Sequence, residues 1–371
     1  MRIVITGSQG FIAHNLRIHL LEAGYTDIVG VDRQTPESDW TKLLAGASVV
    51  FHLAGVNRPK DLSDFDEGNA GFTQRLCEVL ASMTVQPAVV FASSVQAELD
   101  NPYGRSKRRA EEFLLAHSKA TGARVHLLRL PNVFGKWSRP NYNSAVATFC
   151  HNIGRGLPIV VNDPAAELRL VYVDDLVAAL VGLATASSTT GAGDTEIKPV
   201  YETTVGEVAR MIESFRDSRK TLVTPPVGTG LARALYATYV SMLPPDAFGY
   251  GLLRHADPRG VFVEMLKTVD SGQFSYFTAY PGVTRGEHYH HTKSEKFLVI
   301  KGTARFGFRN ILTQETYERV VIGDVPEIVE SIPGWSHNIT NVGAEELLVM
   351  LWANEVFDRQ RPDTVAMKVA P

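Results

Sequence analysis

Residues 2–13 read RIVITGSQGFIA, and this short stretch sets a glycine-rich turn between an apolar run and a helical pattern. Gly7 and Gly10 lie in the turn, where glycine allows a tight bend and leaves bare backbone that another molecule can approach. Unpaired N–H groups at the start of the following helix attract an anion. The order of strand, turn and helix therefore predicts a βαβ unit that holds the pyrophosphate of a dinucleotide.

A carboxylate marks the end of the second apolar run. Asp32 lies 22 positions after Gly10, where it can reach the ribose of the adenosine. This carboxylate favours the free 2′-hydroxyl of NAD, whereas Arg33 beside it can pair with a 2′-phosphate. The residues themselves leave NAD and NADP both open.

Short apolar runs alternate with helical patterns through the first half of the chain. This alternation is typical of βαβ units around a parallel sheet, so we expect an α/β Rossmann-type domain. The clearest helical pattern, YGRSKRRAEEFLLAHSKA, begins at Tyr103. The predicted strands are Ile3–Thr6, Asp27–Val31, Val49–Leu53, Val89–Ser93 and Val125–Leu130.

Composition excludes several classes of partner. A formal net charge of −3 offers no basic excess for nucleic acid or a membrane surface. The only two cysteines, Cys77 and Cys150, lack the spacing of a secreted disulfide scaffold, which favours a reducing cytoplasm. Met1 and Arg2 run straight into the predicted strand at Ile3, so we expect no signal peptide. The apolar stretch Leu176–Ala184 is far shorter than the ~18 residues of a membrane span, so we expect a core helix there.

A tyrosine and a lysine lie four residues apart at the start of the predicted helix. Tyr103 and Lys107 share one helix face, and a neighbouring cation is expected to lower the pKa of a phenol. Such a tyrosine can deliver a proton to a carbonyl oxygen. Ser93 and Ser94 end the preceding strand, and their hydroxyls can hold that oxygen.

The residue pattern of the chain changes in its last third. From about residue 260 the sequence shows apolar and β-branched runs such as KFLVIKG and ELLVMLW, separated by Gly, Pro and Asn. This pattern predicts an all-β domain, a barrel or jelly roll. The segment VSMLPPDAFGYG holds the natural junction. We predict two domains, residues 1–245 and 246–371.

The all-β region carries a group of metal-ligand side chains. His288 and His290 project to the same face of a strand, and a turn after them must bring Glu295 back to the imidazoles. His337 follows a Pro-Gly turn downstream and supplies a fourth ligand. Three imidazoles and a carboxylate suit zinc and also accept iron, manganese or nickel. His291 falls outside this spacing.

Six motifs resemble the extended short-chain dehydrogenases/reductases, most of which act on nucleotide-linked sugars. They span roughly residues 1–240: TGSQGFIA, HLAG at His52–Gly55, ASS, YGRSK, RLPNVFG at Arg129–Gly135 and RLVYVDDL at Arg169–Leu176.

The resemblance implies a role for each matching position. Ser94, Tyr103 and Lys107 would form the proton relay. Ser94, Asn132 and Arg169 would hold the nucleotide-sugar. The cofactor would contact Gly7, Gln9, Gly10, Phe11, Ile12, Asp32, Arg33, Leu53, Ala54, Tyr103 and Lys107.

The histidine spacing resembles the metal motifs of the cupin superfamily over roughly residues 250–371. The first motif matches in full, from Gly282 to Gly302. The second departs, because Pro333 directly precedes Gly334.

A reductase of this kind followed by a cupin resembles bifunctional capsular-polysaccharide enzymes of N-acetyl-L-fucosamine synthesis. The resemblance implies a homodimer with NADPH and zinc as cofactors. The cupin would epimerise C3 of a UDP-2-acetamido-2,6-dideoxy-4-hexulose, and the first domain would then reduce C4 to give the L-talose product. Epimerisation has to come first, because the C3 proton is acidic only while C4 is a ketone.

Two other interpretations fit the sequence. In one, the cupin is a metal-stabilised dimerisation or sugar-binding module beside a reductase. In the other, the first domain is a self-contained epimerase that holds NAD tightly. The acid or base that moves the C3 proton is not identified, although several candidates lie near the motif: Tyr280, Tyr289, Lys296, Lys301 and Arg305.

Overall fold

The computed structural model describes residues 1–185, 192–253, 255–257, 260–262, 266–268, 272–355 and 360–370. The chain divides into two compact units. Unit 1 comprises Met1–Val133 and Arg169–Glu202, and unit 2 comprises Phe134–Leu168 and Thr203–Pro371. The domain boundary near residue 245 stays a prediction.

The helix Pro102–Thr121, α5, begins and ends at recognisable capping residues. α5 starts behind Asn101, whose side chain accepts a hydrogen bond from the Gly104 amide, and it stops at Gly122 in the left-handed region. In chain order the helices are α1 (Phe11–Glu22), α2 (Trp40–Leu44), α3 (Ser63–Phe65), α4 (Phe72–Ala81), α5 (Pro102–Thr121), α6 (Ala145–Gly154), α7 (Val173–Thr185), α8 (Val205–Thr221) and α9 (Gly230–Ser241).

Strands dominate the last third of the chain. Among the described residues they are β1 (Arg2–Thr6), β2 (Ile28–Val31), β3 (Ala47–His52), β4 (Ala88–Ser94), β5 (Val125–Leu130), β6 (Asn132–Phe134), β7 (Glu167–Tyr172), β8 (Ala192–Asp194), β9 (Tyr201–Thr204), β10 (Val223–Thr224), β11 (Gly249–Gly251), β12 (His255–Asp257), β13 (Gly260–Phe262), β14 (Lys267–Thr268), β15 (Gln273–Ala279), β16 (Thr284–Tyr289), β17 (Glu295–Lys301), β18 (Thr303–Asn310), β19 (Thr316–Ile322), β20 (Glu327–Glu330), β21 (Trp335–Asn341), β22 (Leu347–Ala353) and β23 (Val365–Ala366).

Unit 1 is built on a parallel sheet with strand order β2-β1-β3-β4-β5-β8. The five predicted strands are confirmed as β1 to β5. Val4 packs with residues of α4 and α5 in one buried core, while Ile3 and Ile5 point to the opposite face and are buried as well. A sheet buried on both faces is the Rossmann-type arrangement that the sequence predicts.

Parallel strands bring their carboxyl ends to one edge of the sheet. β1 leads into Gly7, β2 leads into Asp32, and β4 ends at Ser94. The predicted cofactor and relay positions therefore share one edge, because consecutive parallel strands deliver their following loops to the same side.

The two five-stranded antiparallel sheets of unit 2 have the strand orders β11-β20-β17-β22-β15 and β19-β18-β21-β16-β23. Their antiparallel pairing agrees with the predicted all-β region. Neither sheet closes on itself among the residues described. The jelly-roll interpretation therefore stays a prediction.

Unit 2 also contains a buried ionic cluster that joins helices to a sheet. Lys296 on β17 is directly opposite Glu330 on β20 and donates a hydrogen bond to its carboxylate. Arg219 of α8 lies 2.9 Å from the same carboxylate. Lys296 and Glu330 are buried and the Arg219 side chain is only 14% exposed, so the carboxylate has to offset positive charge largely away from water.

The predicted core helix at Leu176–Ala184 is confirmed as part of α7. Within the described ranges, no helix combines the length and the hydropathy that a membrane crossing requires. Cys77 and Cys150 are both buried and free.

Candidate functional sites

The glycine turn lets the loop after β3 approach bare backbone and leaves the start of α1 without a side-chain cap. Gly7 has φ +66°, and a Cβ at this position would lie 2.7 Å from the Cα of Ala54. Gly10 precedes α1, and no side chain caps the helix start. Gln9 is exposed, and Phe11 and Ile12 form the first turn of the helix. The uncapped amides provide the anion-binding end that a dinucleotide pyrophosphate needs, so these residues fit the predicted cofactor.

The loop after β3 closes the turn from the other side. The Ala54 amide donates a hydrogen bond to Thr6 Oγ1 at 3.3 Å, which holds Leu53 and Ala54 beside Gly7. His52 is buried between Thr6 and Thr73, with ring nitrogens 2.7 and 2.8 Å from their hydroxyl oxygens. Burial and the nearby Lys107 charge lower the pKa of His52 to about 3, so its ring is neutral and supports the loop.

Asp32 follows β2, as the sequence predicts. One carboxylate oxygen, Oδ1, accepts hydrogen bonds from the Gln34 amide at 2.9 Å and from the Thr35 hydroxyl at 3.3 Å. These bonds orient the carboxylate at the sheet edge. Arg33 is exposed beside it, so the geometry is compatible with either NAD or NADP.

Tyr103 and Lys107 lie one turn apart on α5, as predicted, but their electrostatics differ from the prediction. Burial raises the pKa of Tyr103, and a hydrogen bond with Ser94 opposes this rise. The Lys107 ammonium group donates to the carbonyl oxygen of Ala92 at 2.6 Å and lies over the Phe91 ring. Burial lowers the pKa of Lys107 to about 8, against the opposing charge of Glu111.

The structure distinguishes between the two serines at the end of β4. Ser93 donates a 2.5 Å hydrogen bond to Glu111, and Arg129 binds the same carboxylate at 2.7 Å. Ser94 instead faces Tyr103 and accepts a hydrogen bond from the Gln96 amide at 3.2 Å. Ser94 is therefore the hydroxyl available beside the tyrosine, in agreement with the predicted relay.

A cavity of about 250 Å³ lies beside this edge within unit 1. Arg169 lines it together with Arg129 and Pro131. Asn132, the next residue along the chain, is exposed at the start of β6 and is not one of the lining residues. The Arg169 guanidinium lies 3.7 Å from Glu202 and is more than half exposed, so it can turn toward a charged ligand.

Asn69 is a residue at this edge that sequence reasoning missed. It lies in a π-helical turn, Asp66–Gly71, a distortion that is frequent at functional sites. Its amide group accepts from the Val56 backbone at 2.8 Å and donates to Ser106 at 2.9 Å. The bonds tie the loop after β3 to α5. A π-turn has no distinctive residue pattern, so the sequence carried no signal for it.

Unit 2 contains the predicted His–Glu cluster, defined as His288, His290, Glu295 and His337. One ligand-type atom from each residue lies within 4.8 Å of the others. The imidazole ring centroids are 4.8 to 5.3 Å apart. The structure thus brings together all four residues that the sequence selects.

Strand pairing explains how residues far apart in sequence meet. His288 on β16 is directly opposite His337 on β21, next to a bulge where Glu287 has φ +61°. Residues 290–294 then turn the chain into β17, which begins at Glu295. The predicted turn is therefore confirmed. The cluster combines residues of β16 and β21, which belong to one five-stranded sheet, with Glu295 of β17 in the other.

The protonation pattern of the cluster suits a cation. The backbone carbonyl of Asp363 can only accept, so the hydrogen bond between it and His290 requires a proton on Nδ1. His290 Nε2 then lies 3.1 Å from Glu295 Oε2, and His337 Nε2 lies 3.4 Å from the same oxygen. With a single proton on Nδ1, the His290 ring would direct its Nε2 lone pair at the Glu295 carboxylate, and the two groups would repel each other. A cation bound between them removes this repulsion.

Burial favours ligand forms of the same side chains. Burial and the neighbouring histidines lower the pKa of His288 to about 4, and burial also lowers the pKa of His337. Burial opposes ionisation of Glu295, but hydrogen bonds and charge from His290 and His337, when these rings carry a proton, outweigh it and keep its pKa well below the ordinary value. A bound cation would stabilise the carboxylate in the same way, and imidazoles around one carboxylate are a donor set that fits zinc or another divalent ion.

The candidate acid and base residues near the histidine motif lie in different surroundings. Glu295 faces the cluster, whereas Lys296 faces Glu330 on the opposite side. Lys293, which the sequence did not single out, is buried with its Nζ 3.6 Å from Glu295 Oε1. The other candidates point elsewhere: Tyr280 is exposed, Lys301 pairs with Glu345, Arg305 pairs with Glu318, and Tyr289 is buried beside His291.

Comparison with known proteins gives a family for the larger part of the chain. Residues 3–197 match the model of the NAD dependent epimerase/dehydratase family. The chain belongs to this family. Residues 255–365 match a second model, the polysaccharide biosynthesis C-terminal domain. The two matches cover the glycine turn and the His–Glu cluster respectively.

Two relatives of this epimerase/dehydratase family member resemble it over the whole length. UDP-2-acetamido-2,6-beta-L-arabino-hexul-4-ose reductase from Pseudomonas aeruginosa is 53% identical over 100% of this chain and 99% of its own. The crystal structure of the capsular polysaccharide assembling protein CapF from Staphylococcus aureus is 40% identical, with a TM-score of 0.68, over 99% of this chain and 100% of its own.

A third comparison shows the fold of the epimerase/dehydratase part. UDP-glucuronic acid 4-epimerase from Bacillus cereus, solved with NAD, has a TM-score of 0.53 and 20% identity, over 58% of this chain and 83% of its own. At this identity the likeness extends to the fold alone.

Proposed function

We propose that this protein is a bifunctional nucleotide-sugar enzyme of polysaccharide biosynthesis. Its substrate is a UDP-2-acetamido-2,6-dideoxy-4-hexulose, which it epimerises at C3 and then reduces at C4 with NADPH to the L-talose product. The observation that carries the proposal is the full-length similarity to a protein named as a UDP-4-hexulose reductase. The relay residues and the His–Glu cluster provide a site for each step.

In the reductase step, Tyr103 acts as the acid. NADPH, when bound at the glycine turn, supplies a hydride to C4 of the keto sugar. The raised pKa of Tyr103 keeps its phenol protonated at neutral pH, so it can deliver that proton to the C4 oxygen. Ser94 orients the same oxygen, and the Lys107 charge stabilises the phenolate that the transfer leaves behind.

In the epimerisation step, the His–Glu cluster holds one divalent ion, for which zinc is our first choice. Such an ion, when bound, acts as a Lewis acid toward a ketone oxygen. His288 and His337, whose pKa values burial lowers, present neutral nitrogens, His290 presents Nε2, and Glu295 compensates part of the ion's charge. Epimerisation at this cupin-type unit comes before reduction, because reduction removes the ketone that makes the C3 proton acidic.

Hydrogen exchange at C3 tests the division of labour. Incubation of the keto sugar in D2O without NADPH should place deuterium at C3, measured by mass spectrometry and NMR. We expect His290→Ala to abolish this exchange while NADPH oxidation persists when the already epimerised keto sugar is supplied, and Tyr103→Phe to keep the exchange and lose NADPH oxidation. Tyr280→Phe, an exposed tyrosine, is the matched control. Loss of exchange in Tyr103→Phe with retention in His290→Ala would contradict the proposal.

One alternative function has a specific observation in its favour. The four members of the His–Glu cluster supply enough protein ligands to fill a tetrahedral shell, which is typical of structural metal sites. In this alternative the protein is a C4-keto reductase only, and the metal unit serves dimerisation or sugar binding. Turnover of the keto sugar without any deuterium at C3 in the wild type would favour it.

A self-contained epimerase with tightly held NAD is distinguished by its cofactor use. A net reductase consumes one NADPH for each product molecule, whereas such an epimerase returns its hydride and consumes none. We further propose that the protein forms a homodimer and acts in the cytoplasm, where NADPH is regenerated. Light scattering of the purified protein tests the dimer.

A further inference from the structure

A short segment near the end of the chain borders the proposed metal site. We define the 363–369 segment as Asp363–Val369. Within it, β23 pairs with β16 in antiparallel fashion, so that Ala366 is opposite His288 and Val365 is opposite Tyr289. The segment is therefore the neighbour of the strand that carries the first histidine.

The side chain of Asp363 closes the turn between His290 and Glu295. Its Oδ1 accepts a hydrogen bond from the His291 amide at 2.8 Å. Its Oδ2 accepts from the amides of Thr292 and Lys293, both at 2.7 Å, and from the Thr292 hydroxyl at 3.0 Å. One carboxylate thus binds three consecutive amides, which holds the turn in a single backbone conformation.

The backbone of the same residue orients a ligand. The Asp363 carbonyl accepts a hydrogen bond from His290 Nδ1, which fixes the ring and leaves Nε2 facing Glu295. A partner on the second ring nitrogen is how proteins set the tautomer of a metal-binding histidine. The turn and the histidine therefore depend on one residue, some 70 positions away along the chain.

A second set of contacts anchors the rest of the segment. Glu287 accepts hydrogen bonds from the Val369 amide at 2.7 Å and from the Asn338 side chain at 2.8 Å. The Met367 amide donates to the Glu287 carbonyl at 2.8 Å. These bonds connect the segment to β16 and β21, the two strands that carry His288 and His337. The segment that carries Asp363 is thus held against these two strands.

We propose that Asp363 is the positioning residue of the metal site, acting through His290 and the 290–294 turn. This inference rests on the proposed metal binding by the His–Glu cluster. Asp363 does not coordinate the ion itself, because its carboxylate is directed at the turn amides. Its contribution is to hold His290 and Glu295 in the geometry that the ion requires before the ion arrives.

Cobalt(II) binding to metal-free protein tests the proposal. The dissociation constant is measured by competition with a chromogenic chelator, and the cobalt absorption bands report the number and type of ligands. We expect Asp363→Ala to weaken binding about 10- to 100-fold and to alter the bands, and Asp363→Asn, which keeps one acceptor oxygen, to have a smaller effect. Glu345→Gln, an exposed ion-paired carboxylate of the same unit, should bind as tightly as the wild type.

Each outcome has a definite meaning. Unchanged affinity and bands in both Asp363 variants would overturn the positioning role while leaving the metal site intact. Absence of cobalt binding by the wild type would overturn the metal function and the inference with it. A lower melting temperature of the metal-free Asp363→Ala protein together with wild-type affinity would assign Asp363 to general stability and overturn its role toward the ion.

Discussion

Replacement of Lys107 by methionine should stabilise the cofactor-free protein while it removes the relay. The ammonium group of Lys107 is fully buried, and its pKa is lowered to about 8 from an ordinary value of 10.5. This difference corresponds to about 3 kcal/mol of unfavourable free energy for the charged form in the folded protein. Methionine has a similar length and carries no charge, so the folded variant does not carry this unfavourable free energy.

The substitution also removes one favourable contact, the hydrogen bond from Lys107 to a backbone carbonyl. Methionine cannot donate to the Ala92 carbonyl, and an unpaired buried carbonyl costs about 1 kcal/mol. We therefore expect Lys107→Met to raise the free energy of unfolding by about 2 kcal/mol at pH 7. Reductase activity should fall sharply at the same time, as expected where a strained functional site opposes stability.

The pH dependence has a definite sign. Below pH 8 Lys107 is charged in both states, and the wild type carries the full unfavourable energy of burial. Between the lowered pKa of about 8 and the ordinary 10.5, the unfolded chain binds more protons than the folded one, so wild-type stability rises with pH. The advantage of the variant should shrink across this window and end as a deficit of about 1 kcal/mol near its top.

Urea denaturation followed by circular dichroism, at several pH values from 7 to about 10, measures the difference. Lys119→Met, an exposed lysine on the same helix, is the matched control and should change stability by less than about 0.5 kcal/mol. A variant that is less stable than the wild type at pH 7, or a difference that does not vary with pH, would refute the reasoning.

Three further results are expected. Glu330→Gln leaves the buried Arg219 and Lys296 charges without their carboxylate and should lower the free energy of unfolding by about 3 to 5 kcal/mol, measured by urea denaturation, whereas Glu345→Gln should have little effect. Gly7→Ala should destabilise unit 1 by at least about 1 kcal/mol and abolish NADPH binding in a fluorescence titration, because the added Cβ meets Ala54 and the residue has φ +66°. Removal of metal with a chelator should lower the melting temperature and abolish C3 exchange while the NADPH titration is unchanged; an unaltered melting curve would argue against a bound ion.

Local sequence patterns were sufficient for the first five strands of unit 1. Apolar runs predicted β1 to β5, and the glycine turn after β1 follows from Gly7 and Gly10. These features depend on interactions between residues near one another in sequence, so a pattern of a few residues carries the information. The positions of Tyr103 and Lys107 on one helix face belong to the same class.

The His–Glu cluster was also predictable in its members. His288 and His290 share a strand face by alternation, and the turn before Glu295 was required to bring the carboxylate back. Which strand would carry His337 to them depended on the pairing of β16 with β21, which no local pattern specifies.

Electrostatic environment was beyond the reach of sequence. The Tyr103–Lys107 spacing suggested a lowered phenol pKa, but burial raises it, because solvent exclusion depends on everything packed around the ring. Similarly, Lys296 lies near the histidine motif in sequence, yet alternation along β17 directs it to Glu330 instead.

The sequence by itself determined which residues are candidates for the proposed chemistry, because strand, turn and helix periodicities are set within a few residues of each site. Only the tertiary structure decided the partners of those residues, including Asn69 with Ser106 and Asp363 with the turn after His290. Such partners are separated by tens of positions along the chain. They meet only when the whole chain has packed, so a pattern of a few neighbouring residues does not specify them.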